Sequence, residues 1–137
     1  MAQYFQTPNL LGQAYQAFGY SHAVVLPLNA QLVIAAGQPG VDARGNMVTS
    51  SPKDQIEACF DNCDLALKTA GVTSGLASAH KVHCFVTDIK DEAAVMEVWK
   101  SRYPEHRPTW MTLGIKELAA PGMLVEIQVE AHLVANS

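Results

Sequence analysis

A chain of 137 residues fits one domain, 1–137, large enough to bury a core of its own. Its formal net charge is -4 and its nine Lys and Arg are scattered, which leaves no basic track for nucleic acid. Hydrophobic residues make up 49% and charged residues only 16%, so part of the surface is expected to be covered in an oligomer.

Residues 1 to 22 are polar, with Gly12 and Gly19 interrupting any long element, and Gln3 to Thr7 read as a short edge strand. Two apolar runs, Ala23 to Leu28 and Gln31 to Ala36, flank a short polar break and read as a hairpin. Gly37, Pro39 and Gly40 end the second run. The clearest helix begins at Ser51, a good N-cap, with Pro52 in the first helical position and Asp54 at the positive end. Ile56, Cys59, Phe60, Cys63, Ala66, Leu67 and Ala70 recur at steps of three and four, an amphipathic stripe, and Gly71 closes it.

Residues 79 to 87 read as a strand with Val82, Cys84 and Val86 on one face and Lys81, His83 and Phe85 on the other. A second helix follows Asp88 and Asp91 and stops before Pro104. Thr109 to Leu118 alternates, with Met111, Leu113 and Ile115 opposite Trp110, Thr112 and Lys116. Leu124 to Leu133 alternates again, with Val125, Ile127, Val129 and Ala131 opposite Glu126, Gln128, Glu130 and His132. The pattern predicts an α+β fold, a mixed β-sheet with two helices packed on one face. Phe85 and Trp110 are assigned to the uncovered face, which then needs a partner.

Cys59, Cys63 and Cys84 form an odd set without a CxxC pair, so they read as buried thiols in a reducing compartment, here the cytoplasm. No apolar run reaches the roughly 18 residues of a membrane span, and no secretion signal opens the chain.

No nucleotide loop or nucleophile elbow is present. His80 and His83 alternate across a strand, which argues against a shared metal site, and His106 reads as a solvated loop residue. Glu126 lies mid-strand among apolar neighbours, where a charge is costly. Covered by another subunit it becomes a proton donor or shuttle; uncovered, it is an ordinary solvent-facing strand residue like Glu130. Tyr20 either hydrogen-bonds a ligand or plugs the end of the sheet. Gly37 either offers a backbone amide to a ligand or simply turns the chain.

These residues bring a resemblance into view. Gly19-Tyr20-Ser21-His22-Ala23-Val24, Ile34-Ala35-Ala36-Gly37-Gln38, Gln55, Asp61-Asn62, Lys81, Phe85-Val86, Asp88, Pro108 and Val125 to Ala131 occur in the order and spacing of one family. From about Gly19 to Leu133 the chain resembles the Rid family, also called YjgF/YER057c/UK114. The resemblance implies a chorismate-mutase-like domain and a homotrimer with sheets facing inward and substrate clefts between subunits. In the deaminating members an arginine binds the substrate carboxylate, and activated water hydrolyses a 2-imino acid to a 2-oxo acid and ammonia. No metal or organic cofactor is implied.

Carried over residue by residue, the cleft tyrosine falls on Tyr20, the cleft glycine near Gly37 and the water-positioning carboxylate on Glu126. The arginine falls on Trp110, the following cysteine on Thr112 and a helical asparagine on Met96. Losing the arginine removes a bidentate clamp, and Trp110 with Met96 makes a wall suited to a bulky or aromatic ligand. Arg107 is the candidate replacement clamp, and His22 a further acid or base. The first reading is a divergent enzyme performing hydrolysis, tautomerisation or cyclisation of a bulky imine, enamine, carbonyl or enol intermediate, serving a specialised pathway. Glu126 then moves the proton and Tyr20 or Thr112 hydrogen-bonds the substrate. The alternatives are a broad 2-imino acid deaminase using Arg107, and a non-catalytic ligand-binding or chaperone-like trimer. The family has also been described as ribonucleases, for which the acidic balance offers no physical support. Neither nucleic acid nor a membrane is an expected partner.

Overall fold

A computed structural model describes residues 1–134 of the chain. Its organising element is the long strand β7 (Val125–Val134), which every other strand of the main sheet either pairs with or reaches through β5 (Lys81–Val86). The alternation of β7 is expressed in full: Val125, Ile127, Val129 and Ala131 are buried, and Glu126, Gln128, Glu130 and His132 face the other way.

β5 (Lys81–Val86) lies antiparallel along one edge of β7, and β6 (Thr109–Gly114) runs parallel to β5. The other edge of β7 is shared by β3 (Ala30–Ile34) and the short β4 (Gln38–Pro39), both antiparallel to it. Parallel strands need a long crossover, and α3 (Glu92–Arg102) supplies the one between β5 and β6.

The principal helix is α2 (Pro52–Thr69). Ser51 Oγ accepts the backbone N–H of Asp54 at 3.0 Å, Pro52 opens the first turn, and Gly71 takes the left-handed φ of 100° just beyond the end. Its stripe of Ile56, Cys59, Phe60, Cys63 and Leu67 is buried against β7. Gln55, also buried, donates to the carbonyls of Val48 and Gly122 and accepts from the backbone of Leu124 and Val125. One amide thus ties α2 to the loop that precedes it and to the start of β7. In α3, Val95, Met96, Val98 and Trp99 turn inward and pack with α2 over the same sheet face.

Three expectations are corrected. The described residues contain three α-helices rather than two, the third being α1 (Leu10–Phe18). Asn9 caps it by accepting from the backbone of Gly12, and Gly12 lies so close to Thr7 that any side chain there would overlap the Thr7 carbonyl. That glycine serves close packing, so it does not break the helix. The hairpin is also absent: β2 (Ala23–Val25) pairs with β1 (Gln3–Phe5) in a separate two-stranded sheet, and β3 pairs with β7. Finally, Trp110 is not on the open face. It sits opposite Val82, on the side covered by helices, and is 8% exposed.

The open face is nevertheless apolar in part. Leu32, Ile34, Met111 and Leu113 are 49%, 58%, 43% and 42% exposed there, around the polar side chains of β7.

Candidate functional site

Glu126 sits between Val125 and Ile127, both buried on the helical side, so strand alternation sends its carboxylate to the open face. It is paired in register with Phe85 on one edge and Pro39 on the other, and it is half-buried. Among the described residues no side-chain hydrogen bond or ion pair engages this carboxylate. Gly37 lies directly against it: a Cβ placed on Gly37 would stand 2.7 Å from Glu126 Oε2 and 3.1 Å from Cδ. The glycine therefore leaves room for the carboxylate in its present position. Such a carboxylate can take and return a proton from a bound molecule.

Tyr20 anchors a second group of candidates in the helical layer. Its hydroxyl donates to Glu92 Oε2 at 3.2 Å, and its ring stacks on Trp110 with centroids 5.7 Å apart and planes 6° apart. Burial pushes the Tyr20 phenol up to about 12; the Thr112 hydroxyl pulls the other way, and the negative Glu92 adds to the rise. At neutral pH it is a neutral hydrogen-bonding group, not a base. Trp110 meets Trp99 edge-on at 5.1 Å, and its indole N–H donates to Thr112 Oγ1 at 2.8 Å. Thr112 is opposite Cys84, a buried thiol whose pKa is raised chiefly by that burial. Met96, 6% exposed, joins the same core, and with Phe18 and Glu92 it lines a hollow of about 490 Å³.

The expected site residues thus fall into two groups within one chain. Tyr20, Trp110, Thr112 and Met96 belong to the helical layer, whereas Glu126 and Gly37 belong to the open sheet face. His22 lies elsewhere: it stacks on Tyr15 at 4.1 Å and its Nδ1 is 3.2 Å from Gln6 Oε1. Arg107 donates from Nε to the carbonyl of Gln16 on α1 at 3.2 Å. His106 is not a solvated loop residue. Its Nε2 meets the Ala79 carbonyl, its ring packs against Tyr4 and Trp99, and burial lowers its pKa.

Two features escaped the sequence. Glu92 looks like an ordinary acidic residue in the first turn of α3, and its link to Tyr20 spans 72 positions. His80 and His132, read apart, meet at 3.1 Å between their Nδ1 atoms, with Glu130 Oε2 3.7 Å from His80 Nε2. His80 and His83 do separate as the alternation requires, His80 being buried and His83 half-buried. Among the described residues no group of three or more His, Cys, Asp or Glu is placed to hold a metal ion, and no helix is long and apolar enough to cross a membrane.

A mixed sheet carrying helices on one face is an arrangement shared with known proteins. The structure of YyfB from Yersinia pestis, a Rid-family protein, superposes with a TM-score of 0.81 at 24% identity, covering 96% of this chain and 98% of that one. The chain belongs to this family, whose model, described as Endoribonuclease L-PSP, matches residues 12–133. Protein mmf2, mitochondrial, of Schizosaccharomyces pombe is 34% identical over 99 residues, 71% of this chain and 76% of mmf2. TdcF of Escherichia coli is 26% identical over 106 residues, 77% of this chain and 81% of TdcF. A structure of E. coli TdcF with bound serine superposes with a TM-score of 0.65 at 22% identity, covering 83% and 93% of the two chains.

Proposed function

We propose that this chain is an acid–base catalyst acting without a metal on a bulky or aromatic imine, enamine, carbonyl or enol intermediate. The observation that carries the proposal is the half-buried, unpartnered carboxylate of Glu126 held against Gly37 on a face with exposed leucine, isoleucine and methionine. A carboxylate that a neighbouring copy covers is costly unless a hydrogen-bonding partner comes with the cover, and a bound substrate would be that partner. Neighbouring copies in a homotrimer would cover it and enclose the substrate.

In the hydrolytic version, Glu126 takes a proton from water as the oxygen bonds to the imine carbon. That proton is delivered to nitrogen to give a carbinolamine, whose hydroxyl proton Glu126 then also carries to nitrogen as the C–N bond breaks and the C=O bond forms, so the products are a carbonyl compound and ammonia. In the isomerising version it takes a proton from the carbon beside the imine or carbonyl and delivers it elsewhere on the same molecule. TdcF, whose name carries reactive-intermediate deamination as a provisional assignment, supports the first version as a precedent within the family.

The preference for a bulky or aromatic substrate rests on the missing clamp, since Trp110 itself is a core residue on the helical side of the sheet. The position that the resemblance assigns to a carboxylate-binding arginine holds a neutral ring stacked on Tyr20. A substrate recognised here does not depend on a carboxylate clamp at that strand position. Arg107 gives the broad 2-imino acid reading little support, because it lies in the helical layer beside α1, apart from Glu126 on the open sheet face.

The test generates imines in place with an amino-acid oxidase and follows 2-oxo acid release while semicarbazide competes. Phenylalanine- and tryptophan-derived imines should be hydrolysed faster than alanine-derived ones. Glu126→Gln should lower the rate by about a hundredfold or more, the usual contribution of a general acid or base. Indifference to Glu126→Gln would remove the carboxylate from the chemistry, and no acceleration with any imine would leave isomerisation or ligand binding.

A further inference from the structure

α1, the helix that the sequence concealed, roofs a cavity of about 600 Å³, within the usual size range of small-molecule sites. Its lining includes Gln13 and Gln16 from α1, Lys100 from the end of α3, and Tyr103, His106 and Arg107 from the loop before β6. Two cations therefore face the cavity, and no Asp or Glu lines it. Lys100 Nζ donates to the Ala17 carbonyl at 2.9 Å and Arg107 Nε to the Gln16 carbonyl at 3.2 Å.

These two carbonyls belong to the last turn of α1, whose negative end holds both cations in place. Each cation uses only part of its capacity. A lysine ammonium has three N–H donors and an arginine guanidinium five. Neither side chain is within ion-pair distance of a carboxylate among the described residues, where the lysines and arginine so paired are Lys68, Lys81 and Arg102. The remaining donors are ordered in advance, so a ligand need not immobilise two long side chains.

Part of the lining is aromatic. The rings of Tyr103 and His106 pack on buried Trp99, with centroids 4.8 and 6.1 Å from it. His106 is held by the Ala79 carbonyl, and burial keeps its imidazole neutral, so it contributes a flat surface and no third charge.

We infer that this cavity binds a small aromatic carboxylate, with the carboxylate taken by Arg107 and Lys100 and the ring laid against Tyr103 and His106. The planar guanidinium suits a carboxylate edge, and the aromatic side chains suit a planar body. The site lies in the helical layer, apart from Glu126 on the open sheet face, and does not depend on the reaction proposed there.

The probe is benzoate, titrated by calorimetry and by amide NMR shifts, with benzyl alcohol as the neutral match and inorganic phosphate as an anion without a ring. Benzoate should bind more tightly than either control and shift the amides of Gln16, Tyr103 and Arg107. Arg107→Gln should weaken binding by about tenfold or more, as loss of a charge-assisted pair does, while Arg107→Lys should retain part of it. Glu126→Gln should leave benzoate affinity unchanged. If Arg107→Gln disturbs α1, Lys100→Gln and the NMR map still locate the site. Equal affinity for benzyl alcohol would overturn the inference. So would shifts confined to residues near Glu126, or no binding at millimolar benzoate.

Discussion

Adding one methyl group at Gly37 should separate catalysis from stability. In Gly37→Ala the new Cβ would lie 2.7 Å from Glu126 Oε2, 3.1 Å from Cδ and 3.3 Å from Cγ. Ordinary contact begins near 3.4 Å, so the carboxylate must move by something approaching an ångström. It is the far end of a flexible side chain at a half-exposed position, and rotating it costs about 0.5–1.5 kcal/mol. Replacing glycine by alanine restricts the unfolded chain and returns about 0.4–1 kcal/mol. The two nearly cancel, so the net change should stay within about 1 kcal/mol, a shift in Tm of no more than several degrees. Catalysis has no such compensation, because misplacing a reacting group by about 1 Å can cost a hundredfold in rate. Melting curves and imine hydrolysis on the same preparation provide the assay. An unchanged rate would refute the placement of Glu126 at the reacting centre. A collapse in Tm would show that Gly37 is required by the fold.

Trp110→Arg restores the residue that the family resemblance leads one to expect, yet here it should be damaging. The ring is 8% exposed between Tyr20 and Trp99, so the substitution removes a core aromatic and buries a charge, costing about 3 kcal/mol or more in urea denaturation. Wild-type stability with new activity on small imino acids would show the position to be an open cleft residue. Stability should also fall as the pH drops below 6.5. Burial lowers the pKa of His80, and His132 lowers it further, while Glu130 opposes and Lys81 adds to the fall. A histidine with a depressed folded pKa stabilises fully above its unfolded value and loses that contribution below it. Between pH 7.5 and 5.5 the Tm should decline, and His80→Asn should flatten the slope; an unchanged slope would separate the pair from the effect.

Elements whose side-chain period matched their burial were legible in the sequence. The alternation of β7 identified both its buried set and Glu126, and the stripe and caps of α2 fixed that helix closely. What failed depended on partners distant in sequence. The runs Ala23 to Leu28 and Gln31 to Ala36 do overlap the strands Ala23–Val25 and Ala30–Ile34, but apolar pattern does not name a neighbour, and β3 pairs about a hundred positions away. The alternation expected over Thr109 to Leu118 holds as far as Gly114, where β6 ends. Its register against β5 decides which set is covered, and that register places Trp110 beside Val82. α1 was hidden because Gly12 reads as a breaker, whereas its role is close approach to Thr7.

The candidate site was legible where one residue contradicted its surroundings. Glu126 stood out as a charge in an apolar strand, and Gly37 proves to be its neighbour. Tyr20, Trp110 and Thr112 were noted one by one, but their stacking and hydrogen bonds emerge only when α3 and β6 are packed together. Glu92 and the His80–His132 pair carried no local signal, because each acquires its role from a side chain far along the chain.

The most direct test of the central claim is the ratio of kcat/KM between wild type and Glu126→Gln on a phenylalanine-derived imine. A ratio of about a hundred or more, with the variant folded as before, is predicted. A ratio near one would contradict the account and leave Glu126 as a strand residue with no part in the chemistry.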